Sequence, residues 1–344
     1  MIEKKVCIGL SMVKNEEDII ETFIRYNLQY LDHIFVIDNN SNDGTVDILN
    51  ALIAEGLNLT LWKDDSLSYI QSEITTRAYH RISEIKDFDF FFSLDADELL
   101  VIDDSSFLLN SNKGDVYTID MYDYITESEN INDDVISSMT RRFINKTISG
   151  KVFFHHDREN NNKYTIAQGN HGLLLNNKIL SPSVCGIKIA HFPYRGKDHY
   201  LSKVIIGSQA MLLRDEFFLK SEHAMGIHWR NEYINFKEKK GVITFDDYIK
   251  RAYYISDIEE LMNITIKDEV KFTTNIKYSH KKKSTSLNYK LVMNFENITK
   301  LYWMSEKKSI LSIIKERLSE KFKNKKEKYK NSIGKRFAFY KKTS

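Results

Sequence analysis

Cysteine, proline and long apolar runs are all scarce in this chain, and each scarcity excludes a class of protein. Cys7 and Cys185 are the only cysteines in 344 residues, too few for a disulfide framework or a cysteine-built zinc centre. Two prolines and 13 glycines leave no room for a collagenous stretch or a long Pro/Gly linker. No apolar run approaches the roughly 18 residues that would cross a bilayer. The opening MIEKKVCIGL lacks the apolar centre of a signal peptide. The expectation is a soluble, cytoplasmic protein of a reducing compartment. What is present has the composition of a folded protein, because 42% hydrophobic against 28% charged residues rules out an intrinsically disordered chain. At this length, one large domain with an annex, or two domains, is expected.

The net charge of +2 conceals an asymmetry: residues 301–344 carry 14 Lys/Arg against 4 Asp/Glu, leaving the preceding body acidic. Within that tail Ile310, Leu311, Ile314, Leu318 and Phe322 recur at helical spacing, with Lys315, Arg317, Lys321 and Lys323 largely on other faces. A basic amphipathic helix suits an anionic membrane surface; a solvated helix packed on the body is the alternative. Nucleic acid is not an expected partner, since the acidic body would repel phosphates and no reader motif occurs.

The first hundred residues alternate between strand and helix patterns. Apolar runs at Val6–Met12, His33–Asp38, Leu59–Trp62 and Phe88–Leu94 are separated by helical periodicity around Ile20–Leu31, Val46–Ile53 and Ile70–Lys86. This β-α-β-α-β-α-β order predicts an α/β protein with a mostly parallel sheet flanked by helices. Ligands of such sheets bind beyond the carboxyl ends of the strands. The segments Lys14-Asn15-Glu16, Asp38-Asn39-Asn40 and Asp95-Ala96-Asp97 should therefore share one rim. Further strands are expected at Val116–Tyr124, Arg141–Asn145, Val152–His155, Leu173–Leu180 and Ile187–Ala190, with a polar loop at Glu127–Ser138. A helix should run from Lys197 to about Lys220, followed by a mostly helical region from Asp246. The expected division is an α/β domain over residues 1–220, with halves near 1–100 and 101–220, and a helical region over 221–344.

The strongest chemical signal is Asp95-Ala96-Asp97-Glu98 directly after Phe90-Phe91-Phe92-Ser93-Leu94. Clustered carboxylates at the end of a buried strand repel one another and resist desolvation, so something must compensate them. A hard divalent cation, Mg²⁺ or Mn²⁺, does so and commonly also holds substrate phosphates. A capping Asp followed by exposed carboxylates is the plainer alternative for an isolated motif of this kind.

Three segments in order, Ser11-Met12-Val13-Lys14-Asn15-Glu16-Glu17, Val36-Ile37-Asp38-Asn39-Asn40-Ser41-Asn42-Asp43-Gly44-Thr45 and Leu94-Asp95-Ala96-Asp97-Glu98, resemble the family 2 glycosyltransferases of GT-A fold. The resemblance runs from about Val6 to Leu213. It implies a Rossmann-like GT-A domain and inverting transfer of a hexosyl or N-acetylhexosaminyl group from a nucleotide-activated donor, usually a UDP-sugar. The acceptor would be a glycan or lipid-linked saccharide in bacterial surface polysaccharide or lipopolysaccharide synthesis, at the inner face of the membrane. Carried onto this sequence, Met12, Lys14, Asn15 and Glu16 would line the nucleotide pocket, with Asn40 and Asp43 on the same rim. Asp38 would bond the base, Asp95 would face the ribose or metal, and Asp97 would ligate the metal. A late His completes the metal site in many such enzymes, and His191 fits that position. Asp38 could accept a hydrogen bond from an imide N–H, which uracil has and adenine lacks.

Arg77, Arg195, Lys197 and Lys203 are cationic candidates for the diphosphate. The acceptor hydroxyl also needs a base. The acidic pair usual in the family is missing at its expected place, which leaves Asp157 and His171, the latter in Gln168-Gly169-Asn170-His171-Gly172. Three rivals stand beside this reading: a non-catalytic nucleotide- or sugar-binding module of the same fold, a phosphatase using its first Asp as nucleophile, and a sugar-phosphate nucleotidyltransferase. Glu98 and Leu99 after the motif disfavour the phosphatase, and the lack of a Gly-rich basic N-terminal loop disfavours the nucleotidyltransferase.

Overall fold

The computed structural model describes residues 5–66, 70–104, 106–128, 134–215, 217–220, 226–272, 275–279, 292, 295–305 and 307. The basic tail helix expected beyond residue 307 lies outside the described residues.

The N-terminal half runs β1 (Cys7–Val13), α1 (Ile20–Asn27), β2 (His33–Asp38), α2 (Thr45–Ala54), β3 (Leu59–Lys63), α3 (Gln71–Ile85) and β4 (Phe90–Ser93). As expected, β3, β2, β1 and β4 lie side by side and parallel. Their near-continuous apolar runs follow from burial on both faces. The period of two sends Ile34, Val36, Phe90 and Phe92 toward α1 and α2, where they pack with Ile20, Phe23, Ile24, Leu49 and Leu52. Ile8, Leu10, Phe35, Ile37 and Phe91 face the other way, onto Ile74, Ala78, Tyr79 and Ile82 of α3.

Beyond β4 come β5 (Glu98–Val101), β6 (Val116–Ile125), α4 (Val135–Ser138), β7 (Arg141–Phe143), β8 (Lys151–His155), β9 (Tyr164–Ile166), β10 (Leu173–Leu175), β11 (Lys178–Ile179) and β12 (Ser183–His191). Here the sheet becomes mixed. β8 is antiparallel to β4, β6 is antiparallel to β8, and β12 is parallel to β6 while pairing antiparallel with β5. Two reversals restore direction, so β6 and β12 end on the same edge as β4. The turn expected at Asn176-Asn177 joins β10 to β11, both residues having positive φ. The segment read as a polar loop contains α4, whose first turn is capped by the Asp134 carboxylate accepting from Ile136 and Ser137 N–H.

The helix expected to reach Lys220 stops earlier, as α5 (Lys197–Arg214), and α6 (Ile227–Glu238), α7 (Phe245–Ala252) and α8 (Ile258–Ile264) follow. They share an apolar cluster that includes Tyr200, Val204, Tyr233, Phe236, Tyr248 and Leu261. The later region is not wholly helical, because β13 (Thr265–Lys267) pairs with β7 and extends the sheet. No helix among the described residues is long and apolar enough to cross a membrane.

Candidate active site

The corner after β1 and the corner after β2 interlock through reciprocal bonds. Asn15 N–H donates to Ser41 Oγ (2.9 Å), and Asn42 N–H donates back to Asn15 Oδ1 (2.8 Å). Glu16 N–H donates to Thr45 Oγ1 (2.8 Å), Glu17 N–H to Asp43 Oδ2 (3.3 Å), and Gly44 N–H to Glu17 Oε2 (2.7 Å). Lys14 Nζ reaches the Asn39 carbonyl (2.8 Å). Burial lowers the pKa of Lys14 against the opposing pull of Asp38. Asn15 and Asn40 both adopt positive φ, 59° and 55°, a conformation Asn tolerates better than most residues. Asp43 spends its oxygens on Thr45 and Glu17, so it holds the corner together. Asp38 is buried and accepts from Ser41 N–H at 3.3 Å on both oxygens. Met12 packs beside the apolar cluster under α3.

The acidic motif after β4 opens on the same rim but is divided between two cation systems. Asp95 accepts from Lys151 Nζ (2.6 Å), Gln71 Nε2 (3.2 Å) and Asn170 Nδ2 (3.3 Å). Lys151, buried at the start of β8, also sits 3.0 Å from Glu98 and donates to the Gly169 carbonyl (2.9 Å). Burial disfavours its charge, but Asp95 and Glu98 outweigh burial and raise its pKa, so the ammonium stays charged. Burial pushes Glu98 up to about 7 despite Lys151. Asp97 faces the other way, accepting from Lys203 Nζ (2.7 Å), with Arg195 at 3.7 Å and His191 Nε2 at 3.7 Å. Burial alone would raise the Asp97 pKa; Lys203, His191 and Arg195 overturn this and hold the carboxyl far below the usual carboxylate range.

His191 ends β12 directly opposite Asp123 of β6, and its Nδ1 lies 2.7 Å from Asp123 Oδ1. That contact leaves Nε2 turned toward Asp97. Burial works against a charge on the ring, but Asp123 and Asp97 prevail and raise its pKa. The carboxylates that draw a proton to Nε2 would also draw a metal cation, which must displace that proton to bind. Asp97, Glu98 and His191 each offer a donor atom, all within 4.8 Å of one another. Carboxylate oxygen suits Mn²⁺ or Mg²⁺ and imidazole suits transition metals, so the mixed set favours Mn²⁺ over Mg²⁺, and a carboxylate behind the distal ring nitrogen is the usual means of orienting a metal-binding His. The donor set therefore fits a divalent cation. Glu98 enters this cluster in place of the expected Asp95, whose carboxylate is drawn toward Lys151, Gln71 and Asn170.

Several expected residues are placed otherwise. Arg195 is fully buried: its guanidinium donates to Asp18 through Nε (2.8 Å) and Nη2 (2.9 Å), to Glu16, and to the Phe192 carbonyl (3.1 Å). A fork saturated in this way is no free phosphate ligand; it ties the β1 corner to the strand end of β12. Burial pushes the Glu16 carboxyl up to about 7, against Arg195. Arg77 is exposed and pairs with Asp64 at 3.4 Å. Lys203 faces Asp97 on the rim, and Lys197 opens α5. Asp157 is not brought to this rim. Its neighbour His155 pairs with Phe90 at the start of β4, so Asp157 lies at the opposite end of the sheet, bonded to Asn160 and Glu159 N–H. His171 does reach the site. It follows Gly169, whose φ of +72° a side chain would resist, and whose added Cβ would meet the His171 ring at 2.6 Å. The His171 Nδ1 contact to the Gly150 carbonyl (2.8 Å) requires the Nδ1–H tautomer and leaves a lone pair on Nε2. Desolvation lowers its pKa, the Gly150 bond opposing, so the ring is neutral near pH 7. Asp18, Asp123 and Lys151 went unrecognised in the sequence.

No protein-family profile matches this chain, and no curated protein does. Partial overlaps exist among solved structures. Mannosyltransferase PcManGT from Pyrobaculum calidifontis, solved with GDP-Man and Mn²⁺, is 18% identical with a TM-score of 0.26, over 34% of this chain and 36% of that one. Glucosyl-3-phosphoglycerate synthase from Mycobacterium tuberculosis, solved with Mn²⁺, UDP and glucosyl-3-phosphoglycerate, is 15% identical with a TM-score of 0.27, over 45% and 57%. HddC from Yersinia pseudotuberculosis is 10% identical with a TM-score of 0.34, over 58% and 97%. The chain thus spans less than two thirds of the first two structures. Overlaps of this size leave the chemistry to be read from the residues themselves.

Proposed function

We propose that this chain is a metal-dependent, inverting glycosyltransferase that moves a hexosyl or N-acetylhexosaminyl group from a UDP-sugar to a hydroxyl of a glycan or lipid-linked saccharide. Synthesis of a bacterial surface polysaccharide or lipopolysaccharide, on the cytoplasmic side, is the setting we infer. The observation that carries this reading is Asp97 Oδ1 facing His191 Nε2 at 3.7 Å, with Nδ1 held by Asp123, on the edge where β1 and β2 also end.

In this mechanism Asp97 and His191 would hold the cation. When bound, a divalent cation there stabilises the charge that accumulates on the departing diphosphate. Asp38 accepts the uracil imide N–H, and the interlocked corners around Lys14, Asn15 and Glu16 form the wall beside it. Lys203 adds a positive charge next to Asp97. His171 Nε2 takes the proton of the acceptor hydroxyl as its oxygen attacks the anomeric carbon opposite the leaving UDP, which inverts that centre.

The test is hydrolysis and transfer of UDP-sugars with and without Mn²⁺. Asp97→Ala should lower the metal-dependent rate by about 10²-fold or more, while Asp157→Ala, on the far edge, should leave it unchanged. An unaltered rate in Asp97→Ala would refute the reading; nucleotide binding with no turnover of any donor would favour the non-catalytic module.

A further inference from the structure

Two stretches of chain at the rim grip each other at two points. His171 Nδ1 donates to the Gly150 carbonyl (2.8 Å), and Lys151 Nζ, one residue on, donates back to the Gly169 carbonyl (2.9 Å). The same ammonium donates to Asp95 just past β4 (2.6 Å), which ties the turn carrying His171 to the acidic motif. Asn170 Nδ2 adds a second tie to Asp95 (3.3 Å). On its other side the turn rests on α3, where Gln71 Oε1 accepts from Gln168 Nε2 (3.0 Å) and Gly169 N–H (3.3 Å). Gly150 is itself pressed against β6, where a Cβ would meet the Ile119 carbonyl at 2.3 Å. Lys151 is only 2% exposed. Asp95, Glu98 and the Gly169 carbonyl surround it, one acceptor for each N–H of the ammonium.

We propose that Lys151 is a positioning residue that clasps the Gly169–His171 turn onto the end of β4 and so fixes the His171 ring on the rim. The inference rests on the reading of His171 as the base. That ring is exposed, so packing alone does not orient it, and a base displaced by about 1 Å loses much of its effect. The clasp supplies the orientation: Gly150 holds the ring, and Lys151 holds the turn from which the ring projects. The charged groups facing the ring are Lys151 from β8, Asp95 from the end of β4 and His191 from β12. Lys151 and His191 oppose a proton on the ring and Asp95 favours one, so Lys151 also helps to keep Nε2 free to accept. Asp95 then serves the base rather than the cation.

The experiment is an NMR titration of the metal-free full chain carrying isotope-labelled histidine, with His171 assigned from His171→Gln, beside steady-state kinetics with Mn²⁺ and a UDP-sugar. In the wild type the His171 proton should sit on Nδ1, and the ring should titrate below its ordinary value of about 6.5. Lys151→Gln keeps an amide donor for the Gly169 carbonyl but no charge; it should raise that pKa and populate both tautomers. Its kcat should fall about 10- to 100-fold with little change in KM for the donor, and the acid limb of its rate profile should move to higher pH. Lys151→Met, lacking donor and charge together, should do the same more strongly. A His171 titration identical in wild type and Lys151→Gln would overturn the proposal. Where a variant fails to fold, the wild-type ring decides alone, since a proton on Nε2 or a pKa above about 6.5 would overturn it as well. A shifted titration with an unmoved acid limb would uphold the clasp and withdraw His171 as the base.

Discussion

Asp97 is an ionised carboxylate buried among Lys203, Arg195 and His191, and its neighbours decide what it can bind. Asp123 is the least obvious of them, because it acts through His191. Removing it as Asp123→Ala frees the ring to rotate, and Mn²⁺ affinity should fall about 10–100-fold with the fold intact, as a metal titration followed by calorimetry would measure. Lys151 acts on the other half of the motif. Lys151→Met leaves Asp95 and Glu98 facing each other without their buried cation, at an expected cost of about 3–5 kcal/mol; urea unfolding reads it directly. The division between what the sequence reveals and conceals is physical. Asp38, Asp95, Asp97 and His191 stand out because each terminates an apolar run. Lys151, Asp123 and Asp18 do not, because their partners lie 56, 68 and 177 residues away and only the sheet order brings them together.

Between elements, the joint with the clearest consequence is the one that closes the C-terminal segment onto α1. Glu21, fully buried, accepts backbone N–H bonds from Lys277 (2.9 Å), Tyr278 (2.6 Å) and Ser279 (2.8 Å), and a side-chain bond from Arg25 (2.8 Å). Burial tends to raise its pKa, yet these donors outweigh burial and lower it. A lowered native pKa gives stability that is present above the ordinary carboxylate value and lost as pH falls through the native one. Glu21→Gln should therefore cost about 1–3 kcal/mol near neutral pH and flatten the acid decline below about pH 4. Thermal melts between neutral and acid pH check this, and an unchanged acid limb would contradict it. Elements with several in-phase apolar residues were readable: β1, β2, β4, α1 and α3 occur where the periodicity puts them. β5, β9 and β13, of 4, 3 and 3 residues, are too short to show a period and exist because neighbouring strands supply their partners.

At the level of the whole molecule, the α/β order predicts the parallel half of the sheet, but the reversal at β8 leaves no periodic signature. That reversal returns β6 and β12 to the edge where β4 ends, which is how Asp123 and His191 meet Asp97. The basic tail is legible as a charge asymmetry, and the helix expected of it falls outside the described residues. On the proposed reading the same topology would make metal and nucleotide binding interdependent, since one set of strand ends would hold both. A thermal melt of the wild-type chain and of Asp97→Ala with UDP, with Mn²⁺ and with both tests this most directly. A ligand at 100 times its dissociation constant stabilises the native state by about 2.7 kcal/mol. The wild-type midpoint should rise with UDP only when Mn²⁺ is present, and Asp97→Ala should lose the rise. A UDP shift indifferent to the metal and to Asp97, or no shift with any nucleoside diphosphate, would contradict a shared site.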